Sequence, residues 1–472
     1  MQSMLRLTRT PVFLAVCILQ AAGVTSQTAL PLKGEITDPV SCANDAAQSY
    51  ALYLPSHYTA TRSWPILYAL DPGARGKIPV ERYQDTAEKY GWIVAGSNNS
   101  RNGSAQVSLD AWRAMWADTH ERFAIDSRRT YATGFSGGAR MAIYFALNCD
   151  ACVAGVIASS AGFSAGAAPS SSVPFVFFGT AGVDDFNFPE VKTSGEALTK
   201  SGIANHIEVF AGRHEWPPPS LTTDAVEWLE LQAMKKGSRP RDNDFIDQIW
   251  QKQLQRAQAA EASRQVYDAY QIYAGLADTF KGLRDVSEVE KRNNELRESR
   301  DVQRAVSDER AQISRQRALE REINGLIYAR EKRSAESDWD NILSLLLAKA
   351  QKSAKAEADN GERRVARRVI DGLFISFMEQ GRDLMQSQKR YDEAITKYQL
   401  ATELAPDRPG GFVSLAAAYA LKGEKKKSLQ TLKLAIEKGL TDLNVITSNK
   451  AFDSIRSEPQ FQQLIQNPPK TK

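Results

Sequence analysis

The stretch Arg129-Thr-Tyr-Ala-Thr-Gly-Phe-Ser-Gly-Gly-Ala-Arg-Met-Ala-Ile-Tyr-Phe-Ala-Leu147 decides how this chain is read. Its first five residues are β-prone, and Gly138 to Leu147 has the apolar pattern of a helix. Between them, Gly134-Phe-Ser136-Gly137-Gly138 fits the pattern Gly-x-Ser-x-Gly. A serine on a sharp strand-to-helix turn stands clear of the sheet, and the helix N-terminus directs N–H groups at a developing oxyanion. The glycines allow close passage of chain and substrate around that turn. The pattern recurs at Gly162-Phe-Ser164-Ala-Gly166, after the β-like run Val153 to Ser159. There it leads into Ala165-Gly-Ala-Ala-Pro-Ser-Ser-Ser172, a loop composition rather than a helix. Ser136 is therefore preferred as a nucleophile.

Around this block, from about Tyr50 to Leu231, short β-rich runs alternate with amphipathic stretches. Strands are expected at Tyr50–Leu54, Pro65–Leu70, Trp92–Ala95, Thr130–Thr133, Val153–Ala158, Pro174–Phe178 and His206–Phe210. Helices are expected at Val80–Tyr90, Ala111–Phe123, Gly138–Leu147 and Pro189–Lys200. Alternation of this kind predicts an α/β domain around a mainly parallel sheet.

An elbow serine in such a sheet calls for an acid after a later strand and a histidine after the last one. Pro174–Phe178 leads through Gly179-Thr-Ala-Gly-Val to Asp184-Asp185-Phe-Asn-Phe-Pro189. Asp185 is preferred as the acid, with Asp184 as the alternative; the unused one is expected to be a solvated turn aspartate. The chain has only four histidines. His57 and His120 precede the serine, and His206 opens a strand and is expected to face solvent. His214, in Gly212-Arg-His-Glu-Trp-Pro217 beyond that strand, is the one base that fits the order.

These blocks resemble the α/β-hydrolases of the esterase and polyhydroxybutyrate-depolymerase type over about Tyr50 to Lys236. Arg128 to Ala142 is similar to that family's elbow, His214-Glu-Trp-Pro217 to its terminal His-x-Trp-Pro, and Leu54-Pro55 with Trp64-Pro65 to its first strands. The resemblance implies Ser136 as nucleophile, Asp185 as acid and His214 as general acid/base. It implies an oxyanion hole from the Gly137 N–H and a second donor after the Ile66–Leu70 strand. Where many relatives have His-Gly, this chain has Asp71-Pro72-Gly73-Ala74. Pro72 has no N–H, which leaves Gly73 or Ala74. Trp216 is a candidate wall of the substrate pocket, with core packing as the alternative. The implied activity is cleavage of a small-molecule or polymeric carboxylic ester through an acyl-enzyme, without metal or organic cofactor. The same triad serves peptidases and thioesterases. A binding protein carrying a relic hydrolase is the reading from another class.

Composition bounds the rest. The 472 residues are 25% charged and 42% hydrophobic with a net charge of +4, enough for real cores and for two to four domains. The near balance of charge argues against a dedicated nucleic-acid binder. Arg6 and Arg9 precede an apolar run, Pro11 to Val24, that ends in small residues before Gln27. This predicts a cleaved export signal over residues 1–26, a secreted or periplasmic protein, and no transmembrane span in the mature chain. Cys17 lies in a poor lipoprotein context. Export would leave Cys42, Cys149 and Cys152 in oxidising surroundings, with a local Cys149–Cys152 disulfide or a pairing of Cys42 with one of the two.

The hydrolase domain is expected over 27–236, followed by a charged helical region over 239–370. The Arg-rich stretch Arg363–Arg368 reads there as a solvated helix face. Over 371–472, Ala394, Tyr398, Ala401 and Pro406 recur 34 positions later as Ser428, Leu432, Ala435 and Leu440. That period, with small residues where helices cross, resembles the tetratricopeptide repeat and implies a protein or peptide partner.

Overall fold

Seven uninterrupted buried residues, Trp64-Pro-Ile-Leu-Tyr-Ala-Leu70, form the strand β3 at the middle of the sheet. A strand covered on both faces cannot alternate with polar residues, and this one does not. The computed structural model describes residues 31–164, 169–332 and 339–469. The expected export signal and Cys17 lie outside them, as do residues 165–168, which include the last two positions of the second Gly-x-Ser-x-Gly motif.

The strands are β1 (Ile36–Cys42), β2 (Asp45–Tyr53), β3, β4 (Ile93–Ser97), β5 (Ile125–Phe135), β6 (Gly155–Ser159), β7 (Val176–Gly182) and β8 (Asn205–Phe210). They form one sheet in the order β1-β2-β4-β3-β5-β6-β7-β8. β2 is antiparallel to β1 and β4, and every other pairing is parallel. The helices α1 (Lys77–Tyr90), α2 (Ala105–Arg122), α3 (Gly137–Asn148), α4 (Phe188–Lys200) and α5 (Pro219–Lys235) cover its faces. A mainly parallel eight-stranded sheet flanked by helices thus occupies roughly the first half of the chain, as the alternating pattern predicts. All seven expected strands are present; β1 is an addition, an edge strand paired to β2 by local chain reversal.

Helices follow to the end: α6 (Asn243–Ala262), α7 (Val266–Phe280), α8 (Ser287–Glu298), α9 (Arg300–Lys332), α10 (Trp339–Ala354), α11 (Gly361–Gln386), α12 (Tyr391–Leu404), α13 (Pro409–Lys422), α14 (Lys425–Glu437), α15 (Asn444–Thr447) and α16 (Pro459–Gln466). Helix α11 runs unbroken across positions 370 and 371, so the boundary expected there falls inside one helix. In α12 to α14, Ala394, Tyr398, Ala401, Ala416, Ser428, Leu432 and Ala435 are all buried. Among the described residues no helix is long and apolar enough to cross a membrane.

The described residues from Leu32 onward pack as one compact unit. The seam between sheet and helices runs along α5, where every residue from Ala225 to Met234 is buried. Two of these are acids, and burial of a carboxylate requires partners. Glu227 accepts from Tyr90 and Lys252, and Glu230 from Trp92, Arg129 and Arg239. The stretch after α5 is also fastened, with Arg239 reaching Asp242 and the Phe245 ring.

His206 departs from expectation. It does not face solvent: its ring stacks on Phe178, and Gly275 of α7 packs directly over it. The edge strand β8 is covered by the helices, and a side chain at position 275 would collide with the imidazole.

Candidate active site

Three loops at the carboxyl ends of β5, β7 and β8 converge, the place where open α/β sheets bind ligands. Strand β5 ends at Phe135, and Ser136 takes φ 53° and ψ −120° before α3 begins. A non-glycine residue with positive φ persists only where its surroundings over-determine it. Here the Ser136 N–H donates to the Ser159 carbonyl at 2.9 Å, and the Ser136 carbonyl accepts from Ala139 and Arg140. The glycines make the turn possible. A Cβ on Gly138 would lie 2.1 Å from the Leu70 carbonyl oxygen, and one on Gly137 would lie 1.9 Å from Asn102 Oδ1.

His214 Nε2 lies 2.9 Å from Ser136 Oγ, and His214 Nδ1 lies 2.9 Å from Asp185 Oδ1. Asp185 is fully buried, and the same oxygen accepts the Asn187 N–H at 2.8 Å. The imidazole is held between two rings, Phe135 at 4.7 Å and Phe186 at 4.0 Å between centroids. Both lie next to site residues, yet nothing in their spacing marks them as flanking the base. In the tautomer that carries its proton on Nδ1, facing Asp185, His214 has Nε2 free to accept from the Ser136 hydroxyl.

Asp184 is not the solvated turn residue expected. It is buried, and its Oδ2 pairs with Arg367 Nη1 at 2.8 Å. Arg363–Arg368 is likewise not a plain solvated face. Arg368 is buried, its guanidinium donates to the Val183 carbonyl, and burial pushes it down to about 10. Two adjacent aspartates point opposite ways, one to the histidine and one to the helices.

Gly137 opens α3, and the first N–H groups of a helix have no acceptor within it. The other expected oxyanion donors are spent locally. The Gly73 N–H donates to Asp71 Oδ1 at 2.8 Å, and the Ala74 N–H donates to the Asp71 carbonyl at 3.2 Å. Asp71 is buried and also binds Arg75, so it folds this loop onto itself. Trp216 belongs to that arrangement: it is buried in the core, stacks on Phe135, and donates from Nε1 to Asp71 Oδ2 at 3.0 Å. Core packing, not a pocket wall, is its place.

Of the remaining candidates, Ser164 is exposed, His57 is exposed in a turn, and His120 stacks on Trp116 of its own helix. Cys149 and Cys152 form a disulfide, and Cys42 is free and buried, its thiol pushed up to about 12 mainly by that burial. No group of metal-ligating side chains occurs among the described residues.

A cavity of about 500 Å³ lies beside the site. Phe163, Phe186 and Glu190 line it from the sheet side, and Gln316, Glu320 and Leu373 from α9 and α11. Burial raises the Glu320 carboxyl above its usual range, against a hydrogen bond from Gln316.

No family model matches the chain, and no curated protein matches it. Among solved structures it is similar to Porphyromonas gingivalis dipeptidyl peptidase 4, at 14% identity over 41% of this chain and a TM-score of 0.34. It spans only 35% of that protein's length. It is also similar to the Staphylococcus aureus fluorophosphonate-binding serine hydrolase FphF, at 16% identity over 39% of this chain and 92% of that one, TM-score 0.33. A ferulic acid esterase gives 15% identity over 42% of this chain and 98% of that one, TM-score 0.36. Likeness this slight says nothing of chemistry, which rests on the site's own geometry.

Proposed function

We propose that the chain is a serine hydrolase that cleaves a carboxylic ester through an acyl-enzyme. The observation that carries this reading is the unbroken contact chain Asp185–His214–Ser136, with both links at 2.9 Å. Ser136 Oγ attacks the ester carbonyl as His214 Nε2 takes its proton, and the Gly137 N–H receives the oxyanion. The tetrahedral intermediate expels the alcohol, which takes the proton from His214. Water, deprotonated in turn by His214, then attacks the acyl-enzyme and releases the acid and free Ser136.

The 500 Å³ cavity beside Phe186 is the proposed place for the body of the ester, so the helices present substrate as well as any partner. The buried small residues of α12 to α14 support a tetratricopeptide-like array with a protein or peptide ligand. The Cys149–Cys152 disulfide supports export to a secreted or periplasmic location behind a cleaved signal.

The decisive experiment treats the folded chain with a fluorophosphonate probe and assays nitrophenyl esters of graded acyl length beside peptide and thioester substrates. Labelling at Ser136 with ester turnover is the expected result. Absence of both sinks the enzyme in favour of a binding protein; turnover of peptides or thioesters alone moves the scissile bond.

A further inference from the structure

We propose that α11 positions all three catalytic loops, with Asp371 as its principal positioning residue; this rests on the serine-hydrolase reading above. The residues involved, Arg367, Arg368, Asp371, Gly372 and Glu379, follow the spacing that brings side chains to one side of a helix. Near its N-terminal end, Arg367 binds Asp184 at 2.8 Å and Arg368 binds the Val183 carbonyl. Both contacts fall on Val183 and Asp184, the two residues that lead into Asp185.

One turn on, Asp371 takes the Arg213 guanidinium as a fork, Nε to Oδ2 at 3.0 Å and Nη2 to Oδ1 at 2.8 Å. Arg213 is the residue before His214. Asp371 also accepts from Arg408 and is buried. Gly372 then packs on Phe186, whose ring stacks on His214; a Cβ at 372 would stand 3.1 Å from Phe186 Cβ. Helix α9 helps from the side, with Gln316 Nε2 donating to the Phe186 carbonyl at 2.9 Å.

Two turns further, Glu379 accepts from Asn102 Nδ2. The Asn102 amide lies against Gly137, the residue after the nucleophile. One helix from outside the hydrolase fold thus reaches the acid loop, the base loop and the elbow.

The physical consequence follows from how sharply catalysis depends on placement. A shift of about 1 Å in a catalytic group costs on the order of 100-fold in rate. The base loop is exposed at Arg213, and its ties to α11 are side-chain forks rather than strand pairing. Lysine cannot reproduce a fork of that kind. The helical half is then part of the catalytic apparatus and not only a recognition module.

The test compares kcat and KM of the full chain with those of D371N, D371E, R213K and G372A, together with thermal midpoints and the rate of fluorophosphonate labelling. D371N and R213K are expected to lower kcat and the labelling rate about 10- to 100-fold with KM changed less than about threefold. D371E, which keeps the charge, should recover part of the loss. G372A covers the case in which Asp371 variants fail to fold. Alanine favours a helix over glycine, so its midpoint should hold while the push on Phe186 lowers kcat severalfold. Wild-type kcat in folded D371N, or in G372A where D371N does not fold, would overturn the positioning role alone. A wild-type chain that neither labels nor turns over would remove the serine-hydrolase reading, and the positioning role with it.

Discussion

The motif Gly-x-Ser-x-Gly stands twice in this chain, and the two copies have different fates. At Gly134–Gly138 a strand enters and a helix leaves, Ser136 is forced to positive φ, and its hydroxyl meets a histidine. At Gly162 the preceding strand β6 has already ended, the Gly162 N–H goes to Glu190, and Ser164 is exposed. Three matching letters therefore say little; the strand-to-helix turn closely packed around Gly134, Gly137 and Gly138 says nearly everything. Ser136→Ala should lower turnover of a nitrophenyl ester by at least about 10⁴-fold and abolish fluorophosphonate labelling. Ser164→Ala should leave both within about twofold. Equal losses from the two would break the distinction.

The adjacent aspartates repeat the contrast at shorter range. Asp185→Asn keeps the shape but lets the imidazole take the wrong tautomer, with an expected fall in kcat of about 10³- to 10⁴-fold and an intact fold. Asp184→Asn removes a partner of Arg367 instead. Its expected signature is a lower thermal midpoint with activity reduced only severalfold, since the triad contact itself is untouched. Stability and kcat measured on both variants separate the roles. An Asp184 variant as inactive as the Asp185 one would mean that the acid had been misassigned.

What was legible follows from how local each signal was. The alternating strands, the elbow and the order of acid and base are short-range patterns, and the scarcity of histidine made the last choice nearly forced. The failures share one cause. The sequence reads Asp184, Arg363–Arg368 and His206 as solvated because a charge or imidazole in a loop, on a helix or at a strand edge usually is. The covering comes from segments distant in sequence: Arg367 meets Asp184, 183 positions away, Arg368 meets Val183, and α7 covers His206. The oxyanion donors failed differently. Gly73 and Ala74 stand where the fold predicts, but Asp71 consumes their N–H groups, and no residue pattern foretells that.

The smallest expected effect lies at the covered edge of the sheet, where Glu208 of β8 joins His206 and the fork of Arg256 on α6. Burial alone would raise this carboxyl, but the hydrogen bonds and charges of His206 and Arg256 outweigh it and hold it at about 2, below the ordinary 4.5. A carboxylate depressed in the folded state stabilises above its unfolded pKa, and that contribution drains away as pH falls through the folded value. Glu208→Gln should therefore cost on the order of 1–3 kcal/mol at pH 6 to 7. The gap between the two thermal midpoints should narrow steadily below about pH 4.5 and be nearly closed by about pH 2. Ester turnover per folded molecule should change little, because Glu208 touches none of Ser136, Asp185 or His214 among its described contacts. A gap that stayed constant with pH would show that the loss is one of packing, and that the helices hold this edge by shape rather than by charge.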